Sequence, residues 1–257
     1  MTSLLTANSC QLTAIFMNTL ARRLVTAIVR FIAWLAMDVR VTGRSNIPTH
    51  GPFLIIGNHF SLIEPILVGL KLGLEPTFFA SADLMAHPVT RLILKVFRPI
   101  QVHRREIDRG ALRAARRVLE EGGMLVIFPE GGIDEVVRDM PVEEGLAVPF
   151  DQRTSRSSAQ LIEARDGAAY LATWTEAPIL PIGFLHTEKV VSNFRRRRRT
   201  RVEMNIGPLF GPFVVPAGLR GPERRAFLET VTQTMMEQIA ALLPPANRGI
   251  YQLPREP

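Results

Sequence analysis

The residues in this chain most able to do chemistry are a histidine and a carboxylate five positions apart. His59 and Glu64 fall in Gly57-Asn58-His59-Phe60-Ser61-Leu62-Ile63-Glu64-Pro65, directly after the apolar run Phe53–Ile56 and just ahead of a helical segment. Functional groups collect at such carboxyl ends of strands in open α/β sheets. Across a strand-to-helix turn the imidazole can fold back onto the carboxylate. The carboxylate then fixes the tautomer and stabilises the imidazolium, which leaves the other ring nitrogen free as a general base. No Ser or Cys nucleophile is needed where that base deprotonates an incoming hydroxyl directly. The same residues also have a structural reading. Ser61-x-x-Glu64 matches a capping box, in which Glu64 satisfies a backbone donor. Pro65, which favours the first helical position, argues instead for a helix that starts after Glu64.

A second carboxylate, Glu130, lies in Phe128-Pro129-Glu130-Gly131-Gly132, after the run Met124–Phe128. Held between Pro and two glycines on a tight turn, Glu130 is expected to bind a hydroxylated substrate, and Gly131 and Gly132 to let a ligand approach the main chain. A plain surface turn is the alternative. The segment Arg98–Arg105 ends a short strand in basic residues, and Arg104 or Arg105 could fork a phosphate bidentately. His50, His87, His103 and His186 have no ligand-like spacing, and the single Cys10 excludes a disulfide framework, a Cys-based zinc site and a dithiol pair. No metal is indicated. Walker, Gly-x-Gly-x-x-Gly, Gly-x-Ser-x-Gly and His-Glu-x-x-His patterns are absent from the sequence.

The elements that must position these groups read as alternating strands and helices. Val39–Thr42, Phe53–Ile56, Thr77–Ala80, Ile100–Val102, Met124–Phe128, Ile179–Leu185 and Val202–Ile206 are strand candidates. Helices are expected at Pro65–Leu72, Leu84–Phe97, Asp108–Glu121, Ala159–Thr175 and Pro222–Leu243. Asp134–Ser158 fits neither period and reads as a long loop or insertion, and the residues after Pro244 read as a loose tail. The expected fold is α/β, a single domain with a mostly parallel central sheet flanked by helices. Residues 1–38 form an N-terminal segment, 39–244 the domain and 245–257 the tail. The 257 residues, 47% of them hydrophobic, exclude a disordered or collagen-like chain.

Charge narrows the partners. The formal net charge is +7, and of the 31 basic residues only Lys71, Lys95 and Lys189 are lysines. Five of the arginines stand together, Arg195–Arg199. Such a block needs anions to neutralise it, and near an anionic leaflet each basic residue adds about 1 kcal/mol. Nucleic acid would use the same charges, but no aromatic residues interleave with the run and no nucleic-acid-binding signature accompanies it. The stretch Gln11–Asp38 is apolar and helix-compatible, but Arg22, Arg23 and Arg30 break it into runs much shorter than the about 20 residues a bilayer span needs. It is expected to lie in a membrane interface, with a core helix as the alternative.

Taken in order, four blocks resemble the glycerolipid acyltransferase family that includes 1-acylglycerol-3-phosphate acyltransferases. They are Asn58-His59 through Glu64, Arg104 after its short strand, Phe128-Pro129-Glu130-Gly131, and Pro178–Pro181. Val41-Thr42-Gly43-Arg44 and Asp166-Gly167-Ala168-Ala169 are similar to supporting segments of the family. The resemblance spans roughly Val39 to Gly207. It implies that His59 takes the proton of a lysolipid hydroxyl, which attacks the thioester of acyl-CoA or an acyl-carrier protein. It further implies that Glu64 orients His59, and that Asn58, Arg104, Glu130, Gly131 and Gly132 hold the acceptor. No cofactor beyond the acyl donor is implied. The enzyme would sit on an anionic membrane surface at the cytoplasmic face. Two departures stand out: Glu64 replaces the usual Asp, and Ile133 stands where the family often carries Arg. An arginine of the insertion, such as Arg138, is a candidate to replace that lost cation. A non-catalytic lipid-binding relative of the same fold is the alternative function.

Overall fold

The computed structural model describes residues 22–81, 91, 97, 99–102, 108–139, 144, 148 and 154–252. Among the described residues seven strands form one sheet: β1 (Met37–Thr42), β2 (Phe53–Gly57), β3 (Thr77–Ser81), β4 (Ile100–Val102), β5 (Met124–Ile127), β6 (Ile179–Leu185) and β7 (Thr200–Ile206). Their order across the sheet is β1-β7-β6-β2-β5-β3-β4. Every pairing is parallel except β6 with β7, which run antiparallel. The expected mostly parallel sheet is therefore present.

Helices cover both faces of the sheet. The described helices are α1 (residues 22–36), α2 (Ile63–Lys71), α3 (Arg109–Glu120), α4 (Glu135–Asp139), α5 (Gly167–Thr175), α6 (Val190–Arg195) and α7 (Gly221–Ala241). One core layer joins Leu54, Ile56 and Ile179 of the sheet to Ala115 and Leu119 of α3, Leu171 of α5 and Met235 and Ile239 of α7. The other joins Phe53, Ile55, Leu180, Ile182 and Phe184 to Leu67 and Val68 of α2 and Val190 of α6. Alternate residues of β2 and β6 thus feed opposite layers, and both strands are buried along their whole length. Strands covered on both faces read as continuous apolar runs rather than alternations, which is why they stand out in the sequence.

Three expectations need correction or limits. The helix expected over Ala159–Thr175 begins only at Gly167. The backbone donors before it go elsewhere: Leu161 N–H to the Asn247 carbonyl, Arg165 N–H to the Pro129 carbonyl, Ile162 N–H to the Glu130 carboxylate and Ala164 N–H to the Tyr251 hydroxyl. A segment whose amides are taken by distant partners cannot close helical turns. The same bonds overturn the loose tail as far as Gln252. Tyr251 is buried, and Gly249 sits at φ +54° so close to the Leu161 carbonyl that a Cβ would overlap it. The helix expected at Leu84–Phe97 lies almost wholly outside the described residues.

Candidate active site

β6, β2 and β5 are neighbours at the centre of the sheet, and the groups of interest leave their carboxyl ends. Gly57 closes β2, and Asn58 is the first residue beyond it. The Asn58 side chain is fully buried. Its Nδ2 donates to the Phe184 carbonyl at 3.0 Å, and its Oδ1 accepts from Phe184 N–H at 2.7 Å. Expected among the acceptor-binding residues, Asn58 instead clamps the start of the turn to β6, because both ends of its amide are taken by one backbone residue.

His59 follows. Its Nδ1 lies 3.1 Å from Glu64 Oε2, and its ring stacks on Phe128, with centroids 4.2 Å apart and planes inclined by 16°. The His59 side chain retains 13% exposure, whereas that of Glu64 has none. Among the described residues no hydrogen bond reaches Nε2. A carboxylate at Nδ1 holds the ring in the tautomer with the proton on Nδ1, which leaves the Nε2 lone pair to accept a proton.

Glu64 does two jobs at once. Its carboxylate accepts from Ser61 N–H at 2.9 Å and from the Thr187 hydroxyl, while Ser61 Oγ accepts from Ile63 N–H at 3.1 Å. The bond from Ser61 N–H is one half of the expected capping box; the other half is displaced, because Ser61 Oγ takes Ile63 N–H and not Glu64 N–H, and the N-cap of α2 is Leu62. α2 begins at Ile63, so Pro65 lies within its first turn, not at its first position. The capping reading and the His59 brace, set against each other by the sequence, coexist on one carboxylate. Thr187 lies 123 positions from Glu64 and carries no sequence signal of its own.

Glu130 departs from expectation. Its carboxylate is fully buried and consumed by the protein: Oε2 accepts from the His59 backbone N–H at 2.6 Å, and Oε1 from Ile162 N–H at 2.9 Å and from Arg156 Nη1 at 2.6 Å. It lies beneath the His59 main chain instead of sharing an open cleft with the ring. Arg156, unmarked in the sequence, completes the clamp. Its side chain is 4% exposed, and it donates to the carbonyls of His59 (3.0 Å), Gln160 (2.6 Å), Ile133 and Gly132. Both polar backbone groups of His59 are thus gripped by one buried ion pair.

The neighbouring glycines serve the same framework. Gly131 sits at φ +71°, where only glycine is unstrained, and the space a side chain would enter belongs to Arg165. At Gly132 a Cβ would come within 3.0 Å of Arg138. The approach expected of a ligand is therefore made by two arginines of this chain. Arg138, the candidate replacement cation, is itself spent: it donates to the Glu130 and Glu163 carbonyls at 2.8 and 2.9 Å and pairs with Asp139. Arg104 lies outside the described residues. No cluster of three or more metal-ligating side chains occurs among the described residues.

The profile of a family described as Acyltransferase matches residues 38–185. The chain belongs to that family. Within the matched span lie the His59–Glu64, Phe128–Gly131 and Pro178–Pro181 blocks, with Thr187 just beyond it. The 1-acyl-sn-glycerol-3-phosphate acyltransferase of Borreliella burgdorferi is 32% identical over 108 residues, which is 41% of this chain and 43% of that protein. The chain's match thus spans less than half the length of that relative. The crystal structure of the 1-acyl-sn-glycerophosphate (LPA) acyltransferase of Thermotoga maritima superposes with a TM-score of 0.54 at 23% identity, covering 87% of this chain and 83% of that one. At that identity the likeness concerns the fold.

Proposed function

We propose that this acyltransferase-family protein moves a fatty acyl group from acyl-CoA or an acyl-carrier protein to the hydroxyl of a lysoglycerolipid such as 1-acylglycerol-3-phosphate. One observation carries the reading. The His59 ring is braced at Nδ1 by a buried carboxylate 3.1 Å away, fixed at both backbone groups, and still partly open to solvent. In the proposed reaction Nε2 takes the proton of the acceptor hydroxyl as its oxygen attacks the thioester carbonyl carbon. The carbon–sulfur bond then breaks, and the imidazolium returns the proton to the departing thiolate. Glu64 stabilises the imidazolium in between, and general base catalysis of this kind contributes about 10²- to 10⁴-fold. Glu130 and Arg156 act by positioning the His59 backbone. Arg104, two residues past β4, is proposed to hold the phosphate of the acceptor, a role that rests on the resemblance.

The reaction is proposed to occur at the anionic cytoplasmic face of a membrane. α1 presents Leu24, Ile28, Phe31, Ile32, Trp34 and Leu35 outward, each 47–63% exposed. Apart from Trp34 they follow helical spacing along one stripe, an amphipathic helix turned inside out. The arginine run borders this face: Arg199 donates to the Trp34 and Met37 carbonyls at 2.8 Å, and Leu35 lines a groove with Phe194 and Arg195, Arg197, Arg198 and Arg199. An apolar stripe rimmed by cations matches an interfacial helix. No described helix is long and apolar enough to cross a membrane.

Purified protein with radiolabelled acyl-CoA or acyl-carrier protein and a panel of lysolipids tests the activity. The expected result is acyl transfer to at least one lysoglycerolipid. Liposome binding with no transfer to any acceptor from either donor would instead identify a non-catalytic lipid-binding relative.

A further inference from the structure

The arginine run closes the connection that leaves β6 after Leu185 and, through α6, enters β7 at Thr200. The two strands are antiparallel, with Leu185 opposite Glu203, so the run stands at the carboxyl edge of β6. That edge also carries the His59 turn, because β2 runs parallel to β6, and Thr187, whose hydroxyl holds Glu64. Between the run and the end of α1 opens a groove of about 500 Å³, lined by Leu35, Phe194, Arg195, Arg197, Arg198 and Arg199.

Of these arginines, Arg199 is built into the fold. It donates to the Trp34 and Met37 carbonyls at the end of α1, and its guanidinium lies over the Trp34 ring, 5.7 Å from the centroid. Arg197 and Arg198 are exposed, and their guanidiniums form no hydrogen bond or ion pair with any described residue. Arg197 also sits at φ +56°, in the left-handed region that favours glycine. The turn imposes that conformation: Arg197 N–H bonds to the Phe194 carbonyl and Arg198 N–H to the Asn193 carbonyl, both at 2.9 Å. An outlier of this kind, held by a residue other than glycine, points to use of the side chain. Guanidiniums crowded in one groove repel unless an anion joins them. An anion here meets a second chemistry, because Leu35 and Phe194 supply an apolar wall and Leu35 continues the outward stripe of α1.

We propose that this groove seats one anionic membrane phospholipid, its phosphate gripped by Arg197 and Arg198 and its chains lying along Leu35, Phe194 and the stripe of α1. Guanidinium forks match the spacing of phosphate oxygens, and the apolar wall covers hydrocarbon that water would otherwise meet. Attraction of a charged leaflet for scattered cations would need neither a groove nor a strained Arg197. A lipid held there turns the edge of the sheet that carries His59 toward the bilayer. The proposal takes the source of the lipid from the membrane reading of α1, and the binding itself is tested without a membrane.

Calorimetry on the full-length protein, below micellar concentrations, measures binding of dihexanoylphosphatidylglycerol, whose two backbone hydroxyls are already acylated so that it is no lysolipid acceptor. Dihexanoylphosphatidylcholine, glycerol 3-phosphate and coenzyme A are titrated alongside. Wild type is compared with Arg197→Gly/Arg198→Ser and with the charge-matched Arg109→Ser/Arg113→Ser, which alters two exposed arginines of α3 on the opposite core layer from α1. Wild type is expected to bind one phosphatidylglycerol per chain, about tenfold or more tighter than phosphatidylcholine or glycerol 3-phosphate. Arg197→Gly/Arg198→Ser should weaken that binding about 10- to 100-fold, with a melting temperature no lower than wild type because glycine relaxes the turn. The α3 pair should weaken it less than about twofold, since distant exposed charges are screened. Should the double variant fail to fold, Arg198→Ser alone carries the test with a loss of about tenfold. No binding of phosphatidylglycerol by wild type, or equal losses in the two double variants, would overturn the proposal. Coenzyme A that binds as tightly and is lost in the same variant would assign the groove to the acyl donor and overturn it too. The expected binding pattern, with vesicle sedimentation unchanged by Phe31→Ser/Trp34→Ser, would uphold the seat and overturn the membrane reading of α1 alone.

Discussion

Replacing Arg156 by alanine is the sharpest single perturbation of the framework beneath His59. The guanidinium donates to Glu130 Oε1 and to four backbone carbonyls, those of His59, Gly132, Ile133 and Gln160. Its removal leaves the Glu130 carboxylate fully buried, still accepting from His59 and Ile162 N–H but without its counter-charge. Breaking one side of a buried pair costs about 3–5 kcal/mol. At roughly 2–4 °C per kcal/mol for a domain of this size, Tm should fall by about 6–20 °C. The His59 carbonyl loses its donor at the same time, so the base is held less firmly, and misplacement of about 1 Å can cost 10²-fold in rate. Calorimetry and initial-rate measurements well below the variant's Tm separate the two effects. The double variant Arg156→Met/Glu130→Gln, which leaves no lone charge, should regain part of the lost stability. An Arg156→Ala protein that melts within about 2 °C of wild type, with unchanged kcat, would refute the claim that this ion pair clamps the base.

Further outcomes follow from the same geometry. Thr187→Val removes one donor from Glu64 and should destabilise by about 1 kcal/mol while lowering kcat more than it raises KM, as steady-state kinetics would show. Burial, the largest influence on Tyr251, raises its phenol above the ordinary 10.0. The folded state therefore holds that proton more tightly than the unfolded chain, and the stability it contributes is present below pH 10 and lost as pH rises beyond it. Urea titrations from pH 8 to 11 should show that loss in wild type and a shallower one in Tyr251→Phe. At neutral pH Tyr251→Phe should itself cost about 1 kcal/mol, because Ala164 N–H loses its acceptor. Phe31→Ser/Trp34→Ser should weaken sedimentation with anionic vesicles about tenfold or more. Neutral vesicles should bind wild type less than anionic ones.

The strands were legible because physical chemistry left them no disguise: β2 and β6 are buried on both faces, so they are apolar throughout. Ala159–Thr175 misled because its composition suits a helix, while its first amides are claimed by residues such as Pro129, Asn247 and Tyr251 that no local window contains. The site divides along the same line. His59 and Glu64 are five positions apart, so their contact could be read from spacing. Arg156 and Thr187 reach the site from 97 and 123 positions away and carry no motif. Glu130 was visible as a chemical group but not as a buried one. Burial belongs to the packed fold, and it turns a residue that looks fit for substrate into a brace for the main chain.

The central claim is that the His59 imidazole is the base, and the most direct measurement is the acyl-transfer rate of His59→Ala against wild type, on the acceptor that wild type uses best, at matched melting temperature. The account predicts a loss of about 10²-fold or more with lysolipid affinity preserved. Equal rates for the two proteins would contradict it.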